Sequence, residues 1–257
     1  MTSPTVAGPR SRPVALVTGG GSGIGAAAAA ALAGAGSDVV VVGRRADRLE
    51  EVRAAIGSRE AAVHALAWDV ADGSDATDLV DRAVEIAGRV DVLVHAAGNQ
   101  VRKPALELSL EEFDSVVDLH LRAAFALAQA VGRHLRESAR PGSVVLVGSM
   151  TSQRAGLPHT AAYAAAKSGL LGLVRTLAVE WAPIPVRVNA VLVGFVRTEL
   201  TRDIDDNPER IALTARTPLG RHGTTDEIGR VIAFLASDDA SYITGESLTV
   251  DGGWSVA

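Results

Sequence analysis

Tyr163 and Lys167 stand four residues apart in the alanine-rich stretch Tyr163-Ala164-Ala165-Ala166-Lys167. Positions i and i+4 lie one above the other on a helix face. An ammonium so placed favours a phenolate and is expected to lower a phenol pKa that starts near about 10. A phenol tuned in this way exchanges a proton with a substrate oxygen near neutral pH, and the lysine can also bond a ribose hydroxyl. The chain has only two tyrosines and, among 25 basic residues, only two lysines, Lys103 and Lys167. Arginine serves almost everywhere else, so lysine here points to the compact, rotatable donor that arginine cannot imitate. Ser149 ends the apolar run Val144-Val145-Leu146-Val147-Gly148. Its hydroxyl is expected to face the same crevice and hold the substrate's carbonyl or alcohol oxygen. Ser152 is a second candidate for that role.

The start of the chain offers a cradle for a pyrophosphate ligand. Val14-Ala15-Leu16-Val17 suits a short buried strand. Thr18-Gly19-Gly20-Gly21-Ser22-Gly23-Ile24-Gly25 follows, then an alanine-rich helix that Gly34 and Gly36 stop. Glycines accept positive φ and carry no Cβ to keep a ligand away. The free N–H groups and dipole of the helix start favour a pyrophosphate. Thr18, Gly19, Gly21, Ser22, Gly23, Ile24 and Gly25 are therefore candidate cofactor contacts. The second strand ends at Gly43-Arg44-Arg45, where an NAD site usually places an acid for the ribose 2′-hydroxyl. Two arginines suit a 2′-phosphate instead and oppose the dipole of the helix they start unless an anion joins them. The expected cofactor is NADP, with NAD as the alternative.

The elements that must position these groups alternate regularly. Strand-like runs at 38–43, 61–68, 90–95, 143–147, 186–193 and 247–250 alternate with helical stretches at 47–56, 75–87, 110–136, 160–181 and 226–236. This pattern predicts an α/β fold, a Rossmann-like doubly wound parallel sheet of about seven strands with helices on both faces. The ligand crevice then lies at the strand C-termini. The chain reads as one domain, 14–257, after a loose polar tail, 1–13, that does not resemble a signal peptide. Its 257 residues with 47% hydrophobic content suffice for a large core. The net charge of −5 argues against nucleic-acid binding, no run is apolar enough to span a membrane, and no cysteine is present. A cytoplasmic location is expected. No His-Glu-x-x-His spacing occurs, and no metal is expected. The long helix from Leu110 carries Phe113, Val116, Val117, Leu121, Phe125 and Leu127, more than one stripe. Either the core of one chain or a subunit interface would account for that.

Thr18-Gly19-x-x-x-Gly23-x-Gly25, Ser149, Tyr163 and Lys167 together resemble the short-chain dehydrogenase/reductase family. Asn189-Ala190, Gly194-Phe195-Val196-Arg197-Thr198, and Thr244-Gly245 through Asp251-Gly252-Gly253 extend the likeness along almost the whole chain. The resemblance implies hydride transfer between nicotinamide C4 and a carbonyl or alcohol carbon, in a homotetramer or homodimer. It implies that Asp69-Val70 meets the adenine, that Ala97-Gly98 passes close to the cofactor, and that Gly194, Val196 and Thr198 hold the nicotinamide end. Departures are visible. The family usually has Asn-Asn-Ala-Gly where this chain has His95-Ala96-Ala97-Gly98, and His95 is expected to be structural. The family's relay asparagine is replaced by His120 in Leu119-His120-Leu121; histidine can donate or accept in its place, and a satisfied core group is the alternative. The serine-to-tyrosine spacing is more often one residue shorter, which falls on Met150. Methionine cannot do this work, so Ser149 with a longer loop is the reading. Val193 replaces the usual proline.

Gln100-Val101-Arg102-Lys103-Pro104 resembles the sugar-acid members, such as gluconate 5-dehydrogenases. Arg102 and Lys103 are expected to meet a substrate carboxylate, with Gln153, Arg154 and His159 as further polar contacts. The stretch 198–218 resembles a mobile substrate loop. The expected activity is an NADP(H)-dependent oxidoreductase for a small polar hydroxy or oxo compound. A 3-oxoacyl-carrier-protein reductase and a non-catalytic NADPH-binding regulator are the alternatives.

Overall fold

The structure is a computed structural model that describes residues 12–57, 61–72, 75–153, 156–199, 201 and 208–257. Most of the tail expected at 1–13, Arg154, and residues 200 and 202–207 of the expected substrate loop lie outside the described residues. Seven parallel strands form one sheet: β1 Val14–Thr18, β2 Asp38–Gly43, β3 Val63–Ala67, β4 Val92–His95, β5 Gly142–Ser149, β6 Val186–Val193 and β7 Ser247–Val250. Their order across the sheet is β3-β2-β1-β4-β5-β6-β7. The order reverses direction between β1 and β4, which opens the ligand crevice where Thr18 lies beside His95.

The helices are α1 Gly23–Gly34, α2 Ala46–Ile56, α3 Ala76–Ala87, α4 Leu110–Val117, α5 Ala123–Glu137, α6 Ala161–Trp181, α7 Pro208–Ala215 and α8 Thr225–Ala236. Both faces of the sheet are covered, so its central strands read as unbroken apolar runs. Val14 and Leu16 of β1 pack with Leu79 of α3, Leu127 of α5 and Leu170 of α6. Ala15 and Val17 pack on the other face with Ala28 of α1, Leu49 of α2 and Ile228 of α8. The alanine run of α1 permits close approach to α8, where a Cβ on Gly229 would come within 2.6 Å of the Ala27 carbonyl oxygen.

Two expectations are corrected. The helix expected over 110–136 is not continuous α-helix, because Asp118–Arg122 forms a π-helical turn between α4 and α5. The buried His95 ring explains part of this: its Nε2 lies 3.1 Å from the Leu119 carbonyl oxygen inside that turn. The polar stretch 198–218 contains a helix of its own, α7. On the long helix the single-chain core takes Val116 and Leu127, while Phe125 stays exposed. No helix among the described residues is long and apolar enough to cross a membrane.

Candidate active site

β5 delivers Ser149 to the crevice, and the 3-10 turn Met150–Ser152 begins there. The Ser149 hydroxyl accepts from the Thr151 backbone N–H at 3.3 Å and the Thr151 hydroxyl at 3.0 Å. Its side chain also acts on the Tyr163 phenol, favouring the phenolate. Ser152 turns back to accept from the Ser149 N–H at 3.3 Å. Met150 is buried against Trp254.

On α6, Lys167 is 3% exposed and its Nζ donates to the Val147 carbonyl at 2.6 Å. The ammonium stands 5.7 Å from the centre of the Tyr163 ring. The expected lowering of the phenol pKa is corrected. Burial pushes the Tyr163 hydroxyl above its usual value, and the Ser149 hydrogen bond and the Arg102 charge only oppose this. Lys167 is turned toward Val147 instead, and burial pushes it down to about 7. Desolvation disfavours the charged form of each partner, and it outweighs the pairing inferred from helix spacing.

His120 sits in the π-helical turn with its ring edge-on to Tyr163, centroids 5.2 Å apart. Its Nε2 lies 2.8 Å from the Asn99 carbonyl oxygen and 3.2 Å from the Asn99 backbone nitrogen. Its Nδ1 is buried without a hydrogen-bond partner. Burial holds its pKa down to about 2, so the ring is neutral at physiological pH. Gly98 makes room for it: a Cβ there would stand 2.5 Å from His120 Cε1. His95, fully buried and held to about 3 by burial, joins Thr18 Oγ1 at 2.9 Å to the Leu119 carbonyl. Thr18 is thereby a brace between the glycine turn and the turn that carries His120.

The glycine turn fits a dinucleotide. Gly19 and Gly23 have φ of +68° and +56°. A Cβ on Gly25 would overlap the Gly19 carbonyl oxygen. Ser22 caps α1 without a side-chain bond, and no acid occupies its first turn. The helix N-terminus is thus left to an anion. Ile24 packs into the core behind it. Arg45 Nη2 reaches Ser22 Oγ at 3.5 Å, and Arg44 lies 3.8 Å from Asp69. Asp69 also accepts from the Ala71 N–H at 3.0 Å, and Val70 packs on the core. Sequence reasoning missed Arg48, whose Cβ lies 3.4 Å from where a Cβ on Gly21 would be. Its place one turn beyond Arg44 was the available signal. Three guanidiniums at one strand end suit a 2′-phosphate.

Across the crevice, Val196 bridges to Gly223, and Thr198 stands 3.7 Å from the Cβ position of Gly23. Gly194 has a packing reason, since a Cβ there would lie 2.6 Å from Asp251 Cα. Ala97 is half-buried next to Gly98. Lys103, expected to meet a substrate carboxylate, pairs its ammonium with Glu112, which also caps α4. Arg102 donates to Gln100 at 3.0 Å, and its charge is felt by Tyr163. Gln153 and His159 are exposed.

A family model described as enoyl-(acyl carrier protein) reductase, one of those for short-chain dehydrogenases/reductases, matches residues 19–255. The chain is 40% identical over 243 residues to D-threitol dehydrogenase of Mycolicibacterium smegmatis, covering 95% of this chain and 93% of that protein. It is 37% identical over 185 residues to a 3-oxoacyl-[acyl-carrier-protein] reductase of Thermotoga maritima, covering 72% and 74%. A solved structure described as an NAD(P)-dependent gluconate 5-dehydrogenase from Beutenbergia cavernae, with NADP at low occupancy, superposes with a TM-score of 0.89 at 40% identity. That match covers 95% of this chain and 97% of the other. With the glycine turn, the switch in strand order and the phenol–ammonium pair on one face of α6, these likenesses make the chain a member of the short-chain dehydrogenase/reductase family, an NAD(P)-dependent oxidoreductase.

Proposed function

We propose that the protein transfers a hydride between NADP(H) and a carbonyl or secondary alcohol of a small polar substrate, of the sugar-acid or polyol class. The observation that carries this is the gathering of Ser149, Tyr163 and Lys167 at the end of β5, in a sheet whose first strand leads into the glycine turn. When bound, the cofactor supplies or accepts the hydride at its nicotinamide ring. Ser149 donates to the substrate oxygen and orients it. Tyr163 gives that oxygen a proton during reduction and takes it back during oxidation. Lys167, held to about 7, exchanges a proton at neutral pH and restores the phenol. His120 offers its buried Nδ1 as a neutral acceptor in place of the relay asparagine. Gly19, Gly21, Ser22, Gly23 and Gly25 cradle the phosphates. Arg44 and Arg45 take the 2′-phosphate, and Asp69 and Val70 border the adenine. Val196 and Thr198 hold the nicotinamide end, with Ala97 and Gly98 beneath.

Arg102 supports a carboxylate-bearing substrate, because its charge acts on the reacting phenol. The structure described for gluconate agrees with that class, and the relative named for D-threitol, a neutral polyol, agrees with the polyol side of the reading. The likeness to a 3-oxoacyl-carrier-protein reductase supports a second reading, in which the ketone rides on an acyl thioester. His120 in the asparagine's place supports a third, a regulator that binds NADPH without turnover. Exposed Phe125 on α5 and Val179 on α6 support a homotetramer or homodimer. The absence of cysteine suits a cytoplasmic protein. Steady-state assay with NADPH against 5-ketogluconate, an acetoacetyl thioester and simple ketones separates the readings. Turnover of 5-ketogluconate is expected. Preference for the thioester overturns the sugar-acid assignment, and tight NADPH binding without turnover of any carbonyl favours the regulator.

A further inference from the structure

The segment after β6 reaches back over the cofactor cradle. Thr198 and Thr201 close it into a tight turn: the Thr198 N–H donates to Thr201 Oγ1 at 2.8 Å, and that hydroxyl donates to the Val196 carbonyl at 2.7 Å. Thr198 rests on the N-terminus of α1 at Gly23. Glu199, the next residue, is carried to the start of α2. One carboxylate oxygen lies 3.5 Å from Arg45 Nη2 and the other 3.7 Å from Arg48 Nη2. An acid from the far side of the crevice thus sits against Arg45 and shares Arg48 with Glu51, which Arg48 Nη1 meets at 2.9 Å, where an anionic ligand would belong.

We infer that Glu199 is a cofactor-selectivity residue, a built-in competitor whose carboxylate must leave Arg45 and Arg48 before an adenosine 2′-phosphate can bind them. This rests on the NADP reading proposed above. Adenosine with a free 2′-hydroxyl makes no claim on the arginines and leaves both pairs intact. Glu199 therefore weakens NADP(H) binding selectively and narrows its advantage over NAD(H). The pairs are solvent-exposed, so each is worth a few-fold in affinity at most. Exchange of one anion for another is correspondingly easy.

The test is calorimetric titration of the full chain with 2′,5′-ADP and with 5′-AMP, probes that differ only in the 2′-phosphate. Glu199→Gln should tighten 2′,5′-ADP by about three- to tenfold and move 5′-AMP by less than about twofold. In an Arg45→Gln/Arg48→Gln background the same change should bring no gain. If the wild type prefers 2′,5′-ADP but Glu199→Gln leaves it unchanged or weaker, the inference fails and the NADP reading stands. A gain that persists without the arginines overturns it too, since Glu199 would then act only through long-range charge. Loss of 5′-AMP affinity would make Glu199 a ribose ligand and also overturn it. Equal wild-type affinity for both probes, unaffected by the arginine changes, removes the NADP reading and the inference together.

Discussion

At the glycine turn, Arg45 and Arg48 are about half exposed and face Glu199 at 3.5 and 3.7 Å. At the end of β5, Lys167 is 3% exposed and bound to the Val147 carbonyl at 2.6 Å. Both regions lie at the C-terminal ends of the strands, and both depend on cations. The first holds its charges in water, where an ion pair is weak and partners exchange readily. The second removes its titratable groups from water, and burial moves their pKa values more than any neighbouring charge does. On the function proposed above, cofactor choice rests on interactions that are individually small and replaceable, and proton transfer on groups whose surroundings are packed in place, down to the missing Cβ of Gly98.

If that contrast holds, Lys167→Met should lower kcat by about 10³-fold, read by NADPH oxidation with a ketone substrate. A loss below tenfold would break it. On the cofactor side, Arg45→Glu should raise KM for NADPH by about 10- to 100-fold while kcat changes little; an equal rise for NADH would defeat the 2′-phosphate assignment. Gly98→Ala should cost about 1–3 kcal/mol by urea denaturation, because the new methyl meets the His120 ring. His120→Ala made alongside should recover part of that loss, and strict additivity would contradict the packing argument.

The buried imidazoles set how the stability of this packed region depends on pH. His95 and His120 are held to about 3 and about 2 by burial, against an ordinary value of 6.5. Below 6.5 the unfolded chain gains protons that the folded chain refuses. Stability is therefore fully present above that pH and falls as pH drops toward the folded values. The slope is about 1.4 kcal/mol per pH unit for each ring. Urea midpoints at pH 7.5 and 5.0 should show the fall, and His120→Asn should reduce it by about half. A variant slope equal to the wild type's would show that His120 takes up protons in the fold.

Local spacing carried much of this into the sequence. The glycine turn announces itself because its residues must be small at fixed intervals, and Tyr163 and Lys167 because four residues make one helical turn. The strand order follows from alternation and handed crossovers. The remainder depends on residues far apart in the chain. The π-helical turn receives His95 from a different strand, and Glu199 reaches Arg48 from the opposite wall of the crevice. Lys103 finds Glu112 in the next element, a pairing that local spacing does not announce. The direction of the Tyr163 shift was misread because burial is a property of the whole fold, whereas a spacing of four reports only on neighbours.

The central claim, that the Tyr163 phenol moves the proton beside the bound dinucleotide, is tested most directly by single-turnover oxidation of bound NADPH in Tyr163→Phe. We expect the observed rate to fall by about 10³-fold or more, with NADPH still binding as shown by its fluorescence. A rate within tenfold of the wild type would contradict the account.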